Sequence, residues 1–316
     1  MKQQVSFTLF IALIIAAGSG FARSIDPIVS TEWLETNQTN VVIVDIRSTE
    51  AYEAGHISGA ISEPWAVPFS AWITMPDSGL LLEMPAAEDL FAAIGALGIS
   101  KYTKVVVVGA PNPGEPVHFG PAGVARVAMT LRYAGVRNVA ILDGGHPKWV
   151  AENRSVDTLI PPVTPVEFTG CIDTSLIASI EDVSDSLYRA TLIDARDADV
   201  YFGATIEPYA PVAGHIPSAA SLPGPFAYNA EGDVVTFKDA DELGAMAEGV
   251  VSDNWPFWVP VEYKKVIIYC GVGGYGSIWT YLMREVLGYR NVKLYDGSAQ
   301  EWVAAEYPMT TYKWER

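Results

Sequence analysis

Short apolar runs alternate along the chain with stretches in which apolar residues recur at helical spacing. Two of the runs, Val105–Val108 and Val266–Tyr269, are apolar throughout except for the tyrosine hydroxyl. Runs of this kind are typical of strands buried on both faces of a parallel sheet. Their alternation with helices predicts an α/β fold, with helices on both faces of each sheet. The predicted helices are Ala86–Leu97, Ala122–Ala134, Ala240–Glu248 and Ser277–Leu287.

The same pattern occurs twice. An apolar run ending in Asp-x-Arg leads through an acidic and aromatic stretch to Gly-His-Ile, at Val41–Ser62 and again at Thr191–Pro223. A second pair of blocks, starting at Tyr133 and Leu287, shares Arg-Asn-Val, an Asp-Gly turn and a final Trp-Val. Ordered similarity of this kind indicates a duplication that has diverged.

The duplication divides the 316 residues into two domains, and the size of each is typical of a globular domain. We predict the domains at residues 26–158 and 168–312. Three prolines fall between them, at positions where neither a helix nor a central strand can continue, so 159–167 is a predicted linker.

The first 22 residues are typical of an export signal. Lys2 precedes the apolar stretch Phe7–Ala17, which is short for a membrane span, and small residues precede a predicted cleavage after Ala22. An uncleaved anchor helix is the alternative. We therefore expect a periplasmic or secreted protein whose mature chain has no membrane span.

Charge limits the partners. Half of the residues are hydrophobic, as expected for a packed protein, and the formal net charge is −17. Nucleic acids and anionic membranes are excluded as expected partners, because both require a basic surface. A small anionic substrate would meet a repulsive field, so any anion site must be local.

Both halves resemble rhodanese domains, and the whole chain resembles the tandem-domain thiosulfate and mercaptopyruvate sulfurtransferases. The resemblance covers nearly all of the predicted mature chain. No single motif is specific for the family. The resemblance rests on the order of the motifs, which is the same in both halves. The matching positions are Asp45/Arg47 and Asp194/Arg196, Gly55–Ile57 and Gly214–Ile216, and the Asp-Gly blocks that end at Trp149 and Trp302.

Cys270 stands between a predicted buried strand and a predicted helix, where open α/β sheets bind their ligands. Free N–H groups of the first helical turn favour negative charge there, which predicts a lowered thiol pKa and a reactive thiolate. In rhodaneses the corresponding cysteine is the nucleophile. The predicted loop that binds its persulfide is Gly271, Val272, Gly273, Gly274, Tyr275 and Gly276.

The basic residues of the resembled enzymes are missing from this loop. Two arginines that mercaptopyruvate sulfurtransferases use elsewhere in the domain are also missing, because their positions fall on Val200 and near Tyr209. The candidate substitutes are Lys238, Arg284 or the backbone alone. The first copy has Gly109 in the position of the cysteine, followed by a proline-rich loop, which predicts a structural or regulatory domain.

The resemblance implies sulfur transfer in two steps, without cofactor or metal. Cys270 takes sulfane sulfur from a small sulfur-containing anion such as thiosulfate, becomes a persulfide, and passes the sulfur to a thiol or cyanide. The alternative is a non-catalytic periplasmic carrier of sulfur or selenium, or a partner of an envelope redox system. A phosphatase is not expected, because Gly276 or Ser277 stands where its arginine would be.

The remaining candidates have mainly structural interpretations. Cys171 is expected to be a small buried hydrophobic residue, with a disulfide to Cys270 as the alternative. His56 and His215 recur in both copies and are expected to be structural, and no histidine spacing indicates a metal site. The aromatic cluster 255–258 and Trp279 are expected to pack between the domains, to line the active cleft or to form a docking patch.

Overall fold

The computed structural model describes residues 23–67, 69–251, 259–260 and 263–312. They contain two five-stranded parallel sheets, one in each half, and the predicted α/β architecture with helices on both faces is confirmed. In these ranges no helix has both the length and the apolar character to cross a membrane. The predicted bounds 26–158 and 168–312 stay predictions, and the predicted signal segment, 1–22, lies outside the described residues.

Strands and helices of the first half alternate as the apolar pattern predicts. The strands are β1 (Ile28–Val29), β2 (Val42–Asp45), β3 (His56–Ile57), β4 (Ile61–Ser62), β5 (Lys104–Val108), β6 (Asn138–Leu142) and β7 (Val156–Asp157). The helices are α1 (Thr31–Asn37), α2 (Thr49–Ala54), α3 (Ala87–Ala96), α4 (Phe119–Tyr133) and α5 (Gly145–Ala151).

Strand β5 is central in the first sheet, whose order is β1-β6-β5-β2-β4. Successive side chains of a strand point to opposite faces. Val105 and Val107 therefore pack with residues of α3 and α4, whereas Val106 and Val108 pack with residues of α1, α2 and α5. This arrangement explains why the sequence of β5 is apolar without alternation.

The second half repeats the arrangement with different loops. Its strands are β8 (Ile177–Ala178), β9 (Thr191–Asp194), β10 (Ala219–Ser221), β11 (Tyr228–Glu231), β12 (Val234–Phe237), β13 (Val266–Tyr269) and β14 (Val292–Tyr295). Its helices are α6 (Ile180–Ser184), α7 (Ala198–Tyr201), α8 (Ala240–Val251), α9 (Gly274–Tyr281) and α10 (Ser298–Ala304), and α9 continues into a π-helical segment, Leu282–Val286.

Strand β13 occupies the centre of the second sheet, in the order β10-β9-β13-β14-β8. It pairs in parallel with β9 on one side and β14 on the other. Val266 and Ile268 belong to the apolar cluster that includes α8 and α9, whereas Ile267 and Tyr269 pack on the face covered by α7 and α10. The residue after β13 therefore leaves the sheet at its centre.

Helices α4 and α9 pack against each other and join the two domains. Residues 122–131 of α4 and 276–281 of α9 are buried, so neither helix has a polar outer face. One apolar cluster extends through both domains. The interface is therefore built like a core, and it places the start of α9 beside the first domain.

Residues 159–167, the predicted linker, have neither helix nor strand and lie against the first domain. The Val166 N–H donates to the carbonyl oxygen of Gly95 at 2.9 Å. A Cβ at Gly95 would stand 2.4 Å from the Val166 carbonyl oxygen, so glycine permits this close approach. Phe168 is buried beyond it, with its ring 5.2 Å from that of Phe91.

Candidate active site

Cys270 directly follows the central strand β13 and lies between the second sheet and α9. It is 3% exposed. Its backbone N–H donates to the hydroxyl of Ser298 at 3.3 Å, and its carbonyl oxygen accepts from the N–H of Ala299 at 2.9 Å. The start of α10 thus fixes the backbone of Cys270 at the carboxyl edge of the sheet, where the sequence predicts it.

Backbone N–H groups surround the Cys270 sulfur. The Gly273 N–H donates to Sγ at 3.1 Å, and those of Val272 and Gly276 also interact with the sulfur. Gly273 has φ +88°, a left-handed conformation in which glycine is favoured. The predicted loop is in fact in two parts, because Gly274, Tyr275 and Gly276 form the first turn of α9.

The pKa of the Cys270 thiol is raised above its usual value, and the prediction of a lowered pKa is wrong. Burial is the largest cause, because it disfavours the charged thiolate. The negative charge of Glu207 also raises the pKa. The N–H groups of Gly276, Val272 and Gly273 lower it, but not enough to outweigh burial. The sequence indicated the N–H groups, but it could not indicate how completely the sulfur is enclosed.

Glu207 was not among the predicted site residues. A Cβ built on Gly271 would lie 2.6 Å from Glu207 Oε2, so this carboxyl group stands directly against the loop. The pKa of Glu207 is raised to about 7: burial is the largest cause, Arg196 acts against it, and Asp194 and Asp197 add to it. The available signal was a Glu-Pro pair within the extra residues of the second copy, shortly before Gly-His-Ile.

The Asp-x-Arg motifs form buried ion pairs in both domains. Arg47 and Asp45 are 2.6 Å apart, and Arg196 and Asp194 are 2.5 Å apart. Each arginine also donates to the carbonyl oxygen of the glycine in Gly-His-Ile, Gly55 at 2.9 Å or Gly214 at 2.7 Å. The motif thus ties the end of a strand to the following turn.

Lys238 and Arg284, the side chains predicted as substitutes for the missing arginines, are both bound to other groups of the protein. Lys238 pairs with Glu242. Arg284 donates to the carbonyl oxygen of Val292 at 2.7 Å. At the positions of the absent arginines, Val200 is buried and Tyr209 is exposed. The groups that interact favourably with the Cys270 sulfur are therefore the backbone N–H groups of the loop.

Aromatic residues from both domains stand beside the loop. Tyr275, on the first turn of α9, makes an edge-on contact with Phe119 of α4, with ring centroids 5.7 Å apart. Trp279 is fully buried and donates to the carbonyl oxygen of Pro223 at 3.0 Å, so it is a core residue. The cluster 255–258 lies outside the described residues.

The corresponding position in the first domain cannot act in the same way. Gly109 follows β5, and a Cβ there would stand 2.4 Å from Val124 Cγ2. Beside it is a cavity of about 20 Å³, about the size of one water molecule, with Tyr228, Val235 and Phe237 in its wall. These three residues belong to the hairpin β11–β12, which therefore covers the cavity beside Gly109.

The histidines of the two Gly-His-Ile motifs have the predicted structural role. His56 stacks on Tyr52 at 3.8 Å and His215 on Tyr201 at 3.9 Å, and each Nδ1 bonds the carbonyl oxygen of the same tyrosine at 2.9 Å. Across the described ranges, no group of three or more His, Cys, Asp or Glu could hold a metal ion.

The expectation that Cys171 is buried is wrong. It is exposed and, like Cys270, it is a free thiol. Its backbone packs on the turn at Gly135, where a Cβ would meet the Cys171 carbonyl oxygen at 2.8 Å. Contact through the main chain leaves the side chain on the outside, which the sequence could not indicate.

Comparison with known proteins agrees with this geometry. The family model of the Rhodanese-like domain matches residues 30–152 and 178–305. "Sulfur carrier protein TtuD" of Thermus thermophilus is 31% identical, over 90% of this chain and 95% of its own length. A "Putative thiosulfate sulfurtransferase" of Mycobacterium leprae is 30% identical, over 89% of this chain and 95% of its own.

Solved structures show the same fold. A variant of EanB, in complex with ergothioneine covalently linked with a persulfide cysteine, superposes with a TM-score of 0.75 at 22% identity, over 92% of this chain and 71% of that chain. The anaerobic ergothioneine biosynthesis enzyme from Chlorobium limicola gives 0.71 at 22%, over 91% and 70%. With the family match in both halves, the chain belongs to the rhodanese family and carries two rhodanese-like domains.

Proposed function

We propose that the protein is a sulfurtransferase that carries sulfane sulfur as a persulfide on Cys270. The observation that carries the proposal is the 3.1 Å contact between the Gly273 N–H and Sγ at the start of α9. Preorganised N–H groups in a site with little water stabilise a sulfur anion effectively. A persulfide has the same charge as a thiolate, one atom further out, so the same groups suit both states.

The reaction has two half-reactions. The Cys270 thiolate attacks the outer sulfur of thiosulfate, a new sulfur–sulfur bond forms to Sγ, and the old one breaks as sulfite leaves with its electron pair. The enzyme then holds an anionic persulfide. Cyanide or an acceptor thiolate attacks the terminal sulfur, takes it as thiocyanate or as a new persulfide, and returns Cys270 as a thiolate. No cofactor or metal is needed for this sequence.

Protonation of the thiol limits the first step. Because burial raises the pKa of Cys270, the resting protein holds mainly a thiol near neutral pH. The N–H groups of Gly276, Val272 and Gly273 act against burial and stabilise the small thiolate population. We therefore expect the rate of persulfide formation to increase with pH up to and above pH 8.

A sulfur or selenium carrier without efficient turnover, or a partner of an envelope redox system, is the second candidate. The observation in its favour is the pairing of Lys238 and Arg284 with other groups, which leaves the backbone to bind an anionic donor. The name of the Thermus relative agrees with a carrier. For either function we propose an exported protein, from the character of residues 1–22.

Turnover separates the two candidates. The protein without residues 1–22 is assayed with thiosulfate and with mercaptopyruvate, each with cyanide as acceptor, beside Cys270→Ser and the matched thiol variant Cys171→Ser. If the protein is an enzyme, we expect turnover by the wild type that Cys171→Ser retains and Cys270→Ser loses. Equal rates for wild type and Cys270→Ser on both donors would reject the enzyme.

A further inference from the structure

The carboxyl group of Glu207 lies against the loop that carries Cys270. Glu207 Oε2 is buried and, among the described residues, has no hydrogen-bond partner. It lies 3.7 Å from Arg196 Nη1, beyond hydrogen-bond distance, while the Glu207 side chain as a whole is 25% exposed. The closeness of Gly271 fixes this position, because a side chain at that residue would occupy the space of the carboxyl group.

The charges around Glu207 compensate for it only in part, through a long ion pair with Arg196. Arg196 is already paired with Asp194 at 2.5 Å. Asp197 adds a further carboxyl group, with His118 as its nearby titratable neighbour. The titratable and charged groups that act on Glu207, or on which it acts, are Asp194, Arg196, Asp197, Cys270 and Tyr275. Ionised Glu207 therefore adds negative charge next to Cys270.

We propose that Glu207 is the specificity-determining residue of the Cys270 site, and that its charge selects sulfur donors of low charge over dianions. The inference rests on the proposed function of Cys270. Coulomb repulsion is proportional to the charge of the donor, so a dianion is penalised twice as strongly as a monoanion. The preferred donors are neutral or singly charged sulfane sulfur compounds, such as organic persulfides and thiosulfonates.

Two probes that differ by one charge measure this selection. Thiosulfate and methanethiosulfonate present the same outer sulfur, and both transfer it to the Cys270 thiolate; sulfite leaves from the first and methanesulfinate from the second. In both reactions the charges balance, since each leaving group keeps the charge of its donor. Any change in Cys270 itself affects both donors equally and cancels in the ratio of their kcat/KM values.

The variant is Glu207→Gln, which has the shape of the protonated acid. The ratio of kcat/KM for thiosulfate to that for methanethiosulfonate is expected to rise about tenfold in Glu207→Gln at pH 8. Glu53→Gln, which removes an exposed charge from α2 of the first domain, is the control for the net charge and leaves the ratio unchanged. Equal thermal unfolding of all three proteins establishes that they are folded.

The pH dependence provides an independent readout. Because the pKa of Glu207 is raised to about 7, the thiosulfate to methanethiosulfonate ratio of the wild type should rise as pH falls through that value. In Glu207→Gln the ratio should remain level over the same range. A Glu207→Gln ratio within twofold of the wild type, with the same pH profile, would overturn the inference.

Failure of the proposed function gives a different result. If Cys270 carries no sulfur, neither donor adds the mass of a sulfur atom to the wild type or to Glu207→Gln. If Cys270 carries sulfur but Glu207 has no part in selection, both donors add it and the ratio does not respond to the substitution.

Discussion

Arg126 of the first domain forms an ion pair with Asp296 of the second, immediately behind the loop that carries Cys270. The side chains are 0% and 7% exposed. Arg126 also donates to the carbonyl oxygen of Leu82, and a Cβ on Gly273 would lie 3.0 Å from Arg126 Nη1. The first domain thus packs directly against the loop that carries Cys270.

Loss of this ion pair should destabilise the whole protein. Arg126→Met leaves Asp296 as a buried, uncompensated charge, and we expect the free energy of unfolding to fall by about 3–5 kcal/mol. Urea unfolding measures the change. Arg154→Met, at the more exposed ion pairs with Glu35 and Glu152, is the matched control and should lower the free energy of unfolding far less. Equal losses in the two variants would contradict a special role for the Arg126–Asp296 pair.

Gly273→Ala should disrupt the loop whose N–H groups contact the Cys270 sulfur. The residue has φ +88°, and the added Cβ would stand 3.0 Å from Arg126 Nη1 and 3.2 Å from the Asp296 carbonyl oxygen. Backbone strain alone costs about 1 kcal/mol. Gly232→Ala has the same type of strain, with φ +60°, but nothing lies within 4 Å of its Cβ.

We expect a larger loss of thermal stability for Gly273→Ala than for Gly232→Ala, and a loss of persulfide formation only in Gly273→Ala. Intact persulfide formation in both variants would show that the close packing at Gly273 is not needed to hold the sulfur.

A cysteine alone should not restore chemistry to the first domain. In Gly109→Cys/Cys270→Ser, the new Cβ would meet Val124 Cγ2 at 2.4 Å, and we expect about 1–3 kcal/mol of destabilisation. Val124→Ala, added to this double variant, should recover part of the stability without creating turnover, because the hairpin β11–β12 covers the cavity. Thiosulfate:cyanide turnover by either protein would refute this account of the first domain.

Glu83 should make stability depend on pH. Its pKa is raised to about 8: burial is the largest cause, the charge of Asp296 acts in the same direction, and Arg126 acts against both. The folded protein therefore retains a proton that the unfolded chain releases above its ordinary pKa of 4.5. Between that pKa and about 8, the contribution of Glu83 to stability falls as pH rises, and above this range it stays level.

Thermal unfolding of the wild type and Glu83→Gln across this range measures the effect. The melting temperature of the wild type should fall more than that of Glu83→Gln between about pH 5 and pH 9, with exposed Glu88→Gln as the charge control. Parallel pH profiles for the wild type and Glu83→Gln would mean that Glu83 does not titrate in this way.

The sequence predicted those features that depend on local pattern. The apolar runs at β5 and β13 predicted buried parallel strands, and the position of Cys270 after β13 predicted its place at the sheet edge. The pKa of Cys270, the exposure of Cys171 and the contact of Glu207 with Gly271 depend on packing between distant segments. Glu207 and Gly271 are far apart in the chain, so no spacing rule could join them.

The mass of the protein after reaction with a sulfur donor tests the central claim most directly. Wild type, Cys171→Ser and Cys270→Ser, each without residues 1–22, are incubated with thiosulfate or methanethiosulfonate at pH 8, freed of small molecules and weighed intact. We predict that the wild type and Cys171→Ser gain one sulfur atom, that cyanide removes it, and that Cys270→Ser gains none. A gain that persists in Cys270→Ser, or one that disappears in Cys171→Ser instead, would contradict the account.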